Sequence, residues 1–130
     1  MTILIKFGKP IGKTAVAQTV MLGLKAPAMA GHGSSMGPGA GRMSQSRDIE
    51  VIRTYDSISP ELNRHHAQGT IFELVTIEFY QPKKILFLIY TLKSTFISGI
   101  IYASQPDLIE NLQLSVTTIT AEYFNSSSTR

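Results

Sequence analysis

The sequence predicts a mainly β protein: an antiparallel β-barrel with one short α-helix and a long extended loop rich in glycine. Three observations support this fold class. Apolar and alternating segments of strand length follow one another from residue 70 onward. A Ser-Pro start and a Gly end frame one helical segment. Residues 31–41 hold too many glycines to pack as a regular element.

The predicted strands are short, and most are apolar on at least one face. The stretch 85–92 is almost entirely apolar, which predicts burial on both faces of the strand. In the last strand, the two-residue spacing of apolar side chains changes phase near Thr117 and Thr118, which indicates a bulge or bend. We predict strands at residues 2–7, 19–24, 48–55, 71–80, 85–92, 95–102 and 112–124.

One helix is predicted at residues 59–68. Ser59 suits the N-cap and Pro60 suits the first helical position. Glu61 lies near the positive end of the helix dipole. Gly69 suits the position just past the C-terminus, where many helices end in a left-handed residue. The signals at the two ends therefore agree on one short helix.

The length of 130 residues fits one domain. We predict that residues 1–124 form this domain, that the extended loop covers about residues 26–46, and that residues 125–130 are a polar C-terminal tail. A loop of this length in a compact domain is usually functional or a linker.

Composition excludes several classes of protein. Because the chain has no Cys, it has no disulfide, no thiolate chemistry and no zinc site built on Cys. A hydrophobic content of 43% with only 16% charged residues argues against a disordered chain and suggests a surface covered by a partner. No apolar run approaches the roughly 18–20 residues that a membrane-spanning helix needs, so we predict no integral membrane segment.

Charge is distributed unevenly along the chain. Residues 1–47 carry six basic and no acidic residues, whereas residues 48–130 carry six basic and nine acidic residues. Aromatic side chains are not interleaved with the basic ones beyond Phe7, so no platform for stacking bases is indicated. We therefore predict no nucleic-acid partner.

No motif predicts catalysis. Residues 8–14 follow a strand and contain Gly12-Lys13-Thr14, but the spacing of the glycines is one residue short of a phosphate-binding loop. His65 and His66 are adjacent on the predicted helix, so their side chains point about 100° apart and do not suit one metal ion. No nucleophile with a base is indicated. The sequence predicts a protein that is not an enzyme and has no catalytic residue, cofactor or metal.

Three segments stand in a distinctive order. Residues 48–62 (DIEVIRTYDSISPEL) combine a strand bearing a basic residue with an Asp, a Ser-Pro pair and a Leu that open the helix. Residues 90–99 (YTLKSTFISG) resemble a pair of strands, and residues 110–123 (ENLQLSVTTITAEY) resemble a closing strand with a preceding Glu and a final aromatic residue. Together these segments resemble the Hcp family, the tube protein of bacterial type VI secretion systems. Phage tail-tube proteins share the fold that this resemblance implies and are a close alternative.

The resemblance implies a structural function. A protein of this family would form hexameric rings that stack into a hollow tube, and the tube would be expelled with effector cargo. Its partners would be other copies of itself and the sheath, tip and effector proteins of the secretion system. It would reside in the bacterial cytoplasm before firing and leave through the type VI apparatus without a cleaved signal peptide.

The first thirty residues support an alternative interpretation, because they partly resemble a secretory leader. Three lysines precede an apolar stretch at 15–24, and Ala26-Pro27-Ala28 resembles a cleavage site. Against this reading, residues 2–7 already form a predicted strand, and Gln18 interrupts the apolar run. A secreted monomeric β-domain that acts as a binding module is thus the alternative to a tube protein.

Two groups of residues are candidates for assembly contacts. The glycine-rich loop is predicted to take part in stacking of one ring on the next, because a partner is needed to order so flexible a segment. The apolar strand at 85–92 is predicted to contact a neighbour within the ring. The stacking candidates are His32, Met36, Arg42 and Arg47, and the ring-interface candidates are Ile85, Phe87 and Ile89.

Overall fold

A computed structural model describes residues 1–25 and 46–124 of the chain. These residues form antiparallel strands and one α-helix, so the predicted mainly β fold class is confirmed. The strands are β1 (Thr2–Phe7), β2 (Thr14–Ala17), β3 (Thr19–Lys25), β4 (Ser46–Thr54), β5 (Ile71–Gln81), β6 (Ile85–Ala103) and β7 (Ile109–Tyr123); the helix is α1 (Ser59–Gln68), and a single 3-10 turn, Pro82–Lys84, lies between β5 and β6.

The described strands form one sheet in the order β2-β1-β5-β6-β7-β4-β3, which curls into a half-barrel. Strands β2 and β3 lie at opposite ends of this order although only Gln18 separates them in the chain. The backbone N–H of Gln18 donates to the carbonyl oxygen of Ile52 at 2.8 Å. One continuous segment therefore leaves β1 and joins β4, and it connects the two ends of the curled sheet.

Strands β6 and β7 are long neighbouring strands near the middle of the sheet. β6 has 19 residues and pairs with β5 along its first part and with β7 over most of its length. The register passes from Lys93↔Thr118 to Thr95↔Val116, and Ser94 lies between them with a φ of 53°. The register is therefore the same on both sides of Ser94, so the feature opposite Thr117 is a bend of β6 and not a bulge. The register of β6 and β7 shifts further along, between Ile97 and Gly99, opposite Leu114 and Gln113. The long strands can thereby turn from one part of the sheet to the other.

The core fills the concave side of the sheet. Alternate residues of β1, β5 and β7 point inward, as a strand period of two requires. Phe7 and Phe72 pack with their ring centroids 5.5 Å apart. The fully buried apolar side chains include Ile5, Val51, Leu62, Phe72, Val75, Ile77, Leu92 and Leu112.

Helix α1 has the predicted bounds but a different start. Ile58 rather than Ser59 occupies the N-cap, and no side chain caps the helix. Ser59 is buried, and its Oγ instead accepts a hydrogen bond from the backbone N–H of Asp56 at 3.1 Å. At the other end, Gly69 has φ 68° and its N–H donates to the carbonyl oxygens of the last turn, as predicted. Leu62 anchors the helix to the core with no exposed area.

Three predictions about strands require correction. Residues 14–17 form β2, which was not among the predicted strands. Residues 85–92 and 95–102 are one strand, not two, because Ser94 bends the chain without ending the pairing. The stretch 85–92 was predicted to be buried on both faces, yet its first six residues are all exposed or half-buried in this chain. The predicted extended loop lies almost wholly outside the described residues.

Candidate assembly surfaces

A buried ionic cluster joins four parts of the fold. Arg53 of β4 and Glu110 of β7 are both fully buried, and Arg53 Nη1 donates to Glu110 Oε1. Arg53 Nε donates to the carbonyl oxygen of Val16 in β2 at 3.2 Å. Ser59 Oγ, at the start of α1, donates to Glu110 Oε1 at 3.3 Å. Since Arg53, Glu110 and Ser59 are buried, the cluster holds the fold together.

One side of the cluster opens toward solvent. Arg53 Nη2 lies 2.7 Å from Asp56 Oδ1, an ion pair without hydrogen-bond alignment, and Asp56 is half exposed. Asp56 Oδ1 also accepts a hydrogen bond from the N–H of Ile58 at 3.1 Å, which fixes the turn into α1. Sequence analysis associated Arg53, Asp56 and Ser59 with the family pattern but did not predict that they meet Glu110, which is 57 residues further along the chain than Arg53.

The beginning of β6 is an apolar segment that its own chain leaves partly uncovered. Ile85 is 41% exposed, and no residue from Leu86 to Tyr90 is fully buried. Phe87 packs against Phe79 and Tyr123 with centroid distances of 6.4 Å in both pairs. Of the three ring-interface candidates, Phe87 therefore contributes to the core, whereas Ile85 and Ile89 have apolar area that a neighbour can cover.

A second apolar patch lies at the far end of β6. Ile101, Tyr102 and Leu108 are 55%, 42% and 44% exposed. The rings of Tyr55 and Tyr102 pack edge to face with centroids 5.7 Å apart. Partial burial, together with the charge of Glu110 and the neighbouring Tyr55, raises the pKa of Tyr102. This patch was not predicted from the sequence. Its residues come from β6, from the turn that follows β6 and from just past the end of β4, and their proximity can be predicted only when the strand register is known.

A shallow pocket of about 410 Å³ lies across β3, β4, β7 and β6. Gly23 forms part of its wall, and Asp48, Glu50 and Gln113 supply its polar groups. Glu50 Oε2 accepts a hydrogen bond from Asn111 Nδ2 at 2.7 Å. The carboxylate of Glu50 is thus engaged with a neighbour in the sheet.

The candidate stacking residues can be placed only in part. His32, Met36 and Arg42 lie outside the described residues. The backbone of Arg47 lies in β4, where it pairs with Val116 of β7 and Leu24 of β3. The stacking role of these residues therefore stays a prediction.

The described residues contain no group of three or more His, Cys, Asp or Glu side chains placed to hold a metal ion. His65 Nδ1 and Thr70 Oγ1 form a hydrogen bond of 2.9 Å, and His66 Nδ1 forms a hydrogen bond of 2.8 Å with the carbonyl oxygen of Ile97. Each imidazole thus has a local partner. Within residues 1–25 and 46–124, no helix has the length and apolarity to cross a bilayer.

Comparison with known proteins defines the class to which this curled sheet belongs. The structure resembles Hcp1 from Salmonella typhimurium with a TM-score of 0.72 at 17% identity, covering 94% of this chain and 85% of that one. It resembles a type VI secretion system effector from Yersinia pestis with a TM-score of 0.65 at 15% identity, covering 97% and 92%. These likenesses establish the fold. No curated protein sequence matches the chain.

The family follows from the sequence itself. Residues 13–123 match the model of the family described as "Type VI secretion system effector, Hcp". This match covers most of the chain, and the chain belongs to the Hcp family. It is therefore a protein of type VI secretion, as the resemblance implied, and its family is not a known enzyme family.

Proposed function

We propose that this protein forms hexameric rings that stack into a hollow tube, and that the tube is expelled with effector cargo. The observation that carries this proposal is the beginning of β6. Six consecutive apolar residues, 85–90, are left exposed or half-buried in a chain whose family functions in type VI secretion. Apolar surface that a chain does not bury itself favours a contact with another molecule.

The proposed ring contact uses Ile85 and Ile89. Burying the exposed part of two Ile side chains supplies about 1–3 kcal/mol per contact, from about 25 cal/mol per Å² of apolar area. A closed ring of six copies contains six such contacts, so that a small term per contact is multiplied.

The proposed stacking contact uses the segment 31–46, with His32, Met36, Arg42 and Arg47 as its candidates. This part of the proposal rests on the sequence: the segment belongs to the basic part of the chain, whereas the acidic residues follow residue 47. Head-to-tail stacking would bring a basic face of one ring against an acidic face of the next, which fixes register more than it adds affinity.

The proposed partners are therefore other copies of the chain and the sheath, tip and effector proteins of the secretion system. The protein would be cytoplasmic before firing and would then be secreted through the apparatus. We propose no enzymatic activity and no cofactor, metal or nucleic-acid partner, because a tube protein acts by shape. The fold is shared by phage tail-tube proteins, so the analogous tube function is the second candidate.

The ring is tested by sedimentation velocity and electron microscopy at micromolar concentration. The unaltered protein should sediment at six times the monomer mass and appear as rings. The variant Ile85→Ser/Ile89→Ser should sediment as a monomer with unchanged circular dichroism. Ile71→Ser is the matched control, because Ile71 is 63% exposed on another strand. A monomeric unaltered protein would contradict the proposal and favour the lone binding module.

The stacking role is tested by deleting residues 33–41. We expect the rings to persist and the tubes to disappear in electron micrographs. Tubes that form as readily as before would show that the segment does not contribute to stacking.

A further inference from the structure

Two turns of opposite charge lie at the two ends of β6. The turn Pro82–Lys84 precedes the strand and presents two exposed lysines. Residues 104–108 follow the strand and present Asp107, which is exposed. Because β6 has 19 residues, a straight strand of this length would span about 60 Å. Complementary groups thus sit at opposite ends of one element.

The lysine turn borders a pocket. Lys83 and Lys84 line a cavity of about 450 Å³ together with Thr2, Leu4 and Tyr80. Leu4 and the ring of Tyr80 supply apolar lining, and the two lysines supply positive charge. The cavity therefore suits a group that combines an apolar side chain with a negative charge.

The acid that contacts the pocket residue Tyr80 is already engaged. Glu78 Oε1 lies 3.2 Å from Lys6 Nζ and accepts a hydrogen bond from Tyr80 Oη at 2.7 Å. That hydrogen bond, followed by partial burial, raises the pKa of Tyr80, so the hydroxyl stays a donor to Glu78. Among residues 1–25 and 46–124, no ion pair includes Lys83 or Lys84. The two lysines thus retain uncompensated charge.

The backbone of this turn is unusual. Lys83 has φ 71° and Lys84 has φ 60°, the left-handed region that L residues with a side chain seldom adopt. Two consecutive lysines in this region hold both side chains at the turn where glycine would be the easier choice. Such outliers concentrate at binding sites, where the conformation serves recognition.

The acidic turn has matching chemistry. Asp107 is exposed and takes part in no ion pair of the described residues. Leu108 follows it directly and is 44% exposed. Other exposed acids, Glu73 and Glu122, lie within strands. A turn at the end of a strand can insert into a cavity. A side chain in the middle of a sheet cannot, because the neighbouring strands would collide with the rim of the cavity.

We propose that residues 104–108 of one copy enter the pocket at Lys83 and Lys84 of the next copy. Asp107 lies between the two ammonium groups, and Leu108 packs on Leu4 and Tyr80. The two surfaces differ, so the contact is head-to-tail and propagates from copy to copy. This inference rests on the proposed self-assembly and specifies one of its contacts.

A charge exchange tests the contact. Asp107→Lys alone and Lys83→Glu/Lys84→Glu alone should each weaken assembly at least about tenfold in sedimentation velocity, because each places like charges together. One chain that carries all three substitutions restores opposite charges and should recover most of the assembly. Circular dichroism of each variant confirms that it folds.

The matched control is Glu73→Lys/Lys93→Glu, which exchanges charges at exposed positions within strands. It should leave assembly unchanged. A triple variant that stays as weak as either parent, or an Asp107→Lys variant that assembles normally, overturns this inference and leaves the proposed tube function standing. An unaltered protein that is monomeric overturns both.

Discussion

Several interior polar contacts converge on Arg53. It is fully buried, and it meets Glu110, Asp56 and the carbonyl oxygen of Val16. Transferring two charges from water into the interior is costly, and the mutual attraction offsets this cost only while both partners are present. A buried pair of this kind therefore fixes which elements meet more than it adds to stability.

Replacing Arg53 by Met should lower the free energy of unfolding by about 3–5 kcal/mol, because Glu110 is left buried without its cation. The double variant Arg53→Met/Glu110→Leu should recover much of this loss. Urea unfolding followed by circular dichroism measures both changes. A double variant that is as unstable as Arg53→Met would show that the network contributes through its hydrogen bonds to Ser59 and Val16.

Lys13 and Glu61 form an exposed contact between the β1–β2 loop and α1. Lys13 Nζ donates to Glu61 Oε1 at 3.0 Å, and this hydrogen bond is the main cause that lowers the pKa of Glu61 below its ordinary value of 4.5. A lowered pKa in the folded state means that the contribution to stability is present above about pH 4.5 and is lost as the pH falls through the folded value.

In Lys13→Ala the pKa of Glu61 should rise toward its ordinary value, and this small pH-dependent contribution should decrease, with Arg64 and His65 still lowering the pKa. Titration of the Glu61 carboxyl by NMR measures the shift. Lys9→Ala removes an exposed lysine of the same loop that makes no ion pair with described residues, and it should leave the titration unchanged. An unchanged pKa in Lys13→Ala would contradict the assignment of the hydrogen bond as its cause.

At the scale of elements, local sequence patterns predicted whether a segment is a helix or a strand better than they predicted how far each strand extends. The helix bounds followed from Pro60 and Gly69, whose backbone preferences act within a few residues. β2 has only four residues and was missed, because its formation depends on pairing with β1, which is a nonlocal contact. β6 was divided in two, because a polar residue in an apolar run looks like an end when the pairing strands are unknown.

Ser94 carries the strain that lets β6 stay continuous. With φ 53°, a residue with a Cβ pays about 1–2 kcal/mol, which glycine avoids. Ser94→Gly should therefore raise the free energy of unfolding by up to about 1 kcal/mol after the entropy cost of glycine is subtracted. Ser94→Val should lower it by more than about 1 kcal/mol, because a β-branched residue is poorly accommodated there. Thermal unfolding of the two variants should thus shift in opposite directions.

At the scale of the whole molecule, the sequence predicted the family and the kind of surface but not its shape. The apolar stretch at 85–92 was identified as an interface candidate, yet the separation of Phe87 from Ile85 and Ile89 required the register with β5. The patch around Tyr102 and the pocket at Lys83 depend on residues distant in sequence, so their assembly could not be read from spacing.

The two kinds of proposed contact respond differently to salt. Raising the ionic strength from 0.1 M to 1 M shortens the Debye length from about 10 Å to about 3 Å, so contacts between exposed charges weaken. Burial of Ile85 and Ile89 is not weakened by salt. We expect the assembly measured by sedimentation to weaken at 1 M salt without complete dissociation. Full dissociation into monomers would show that the apolar contact contributes little.

At Gln18 the chain passes from β2, which pairs with β1, to β3, which pairs with β4, and this connection has a mechanical consequence. The segment that contains β2 and β3 is hydrogen-bonded to both ends of the curled sheet, so neither end can peel away while the other stays in place. A force on either end of the sheet acts on two rows of hydrogen bonds at the same time, the row between β2 and β1 and the row between β3 and β4. The amide protons of β2 and β3 that are hydrogen-bonded to β1 and β4 should then exchange only in global unfolding, at one common rate. A subunit built in this way resists stepwise unravelling from either end of the sheet.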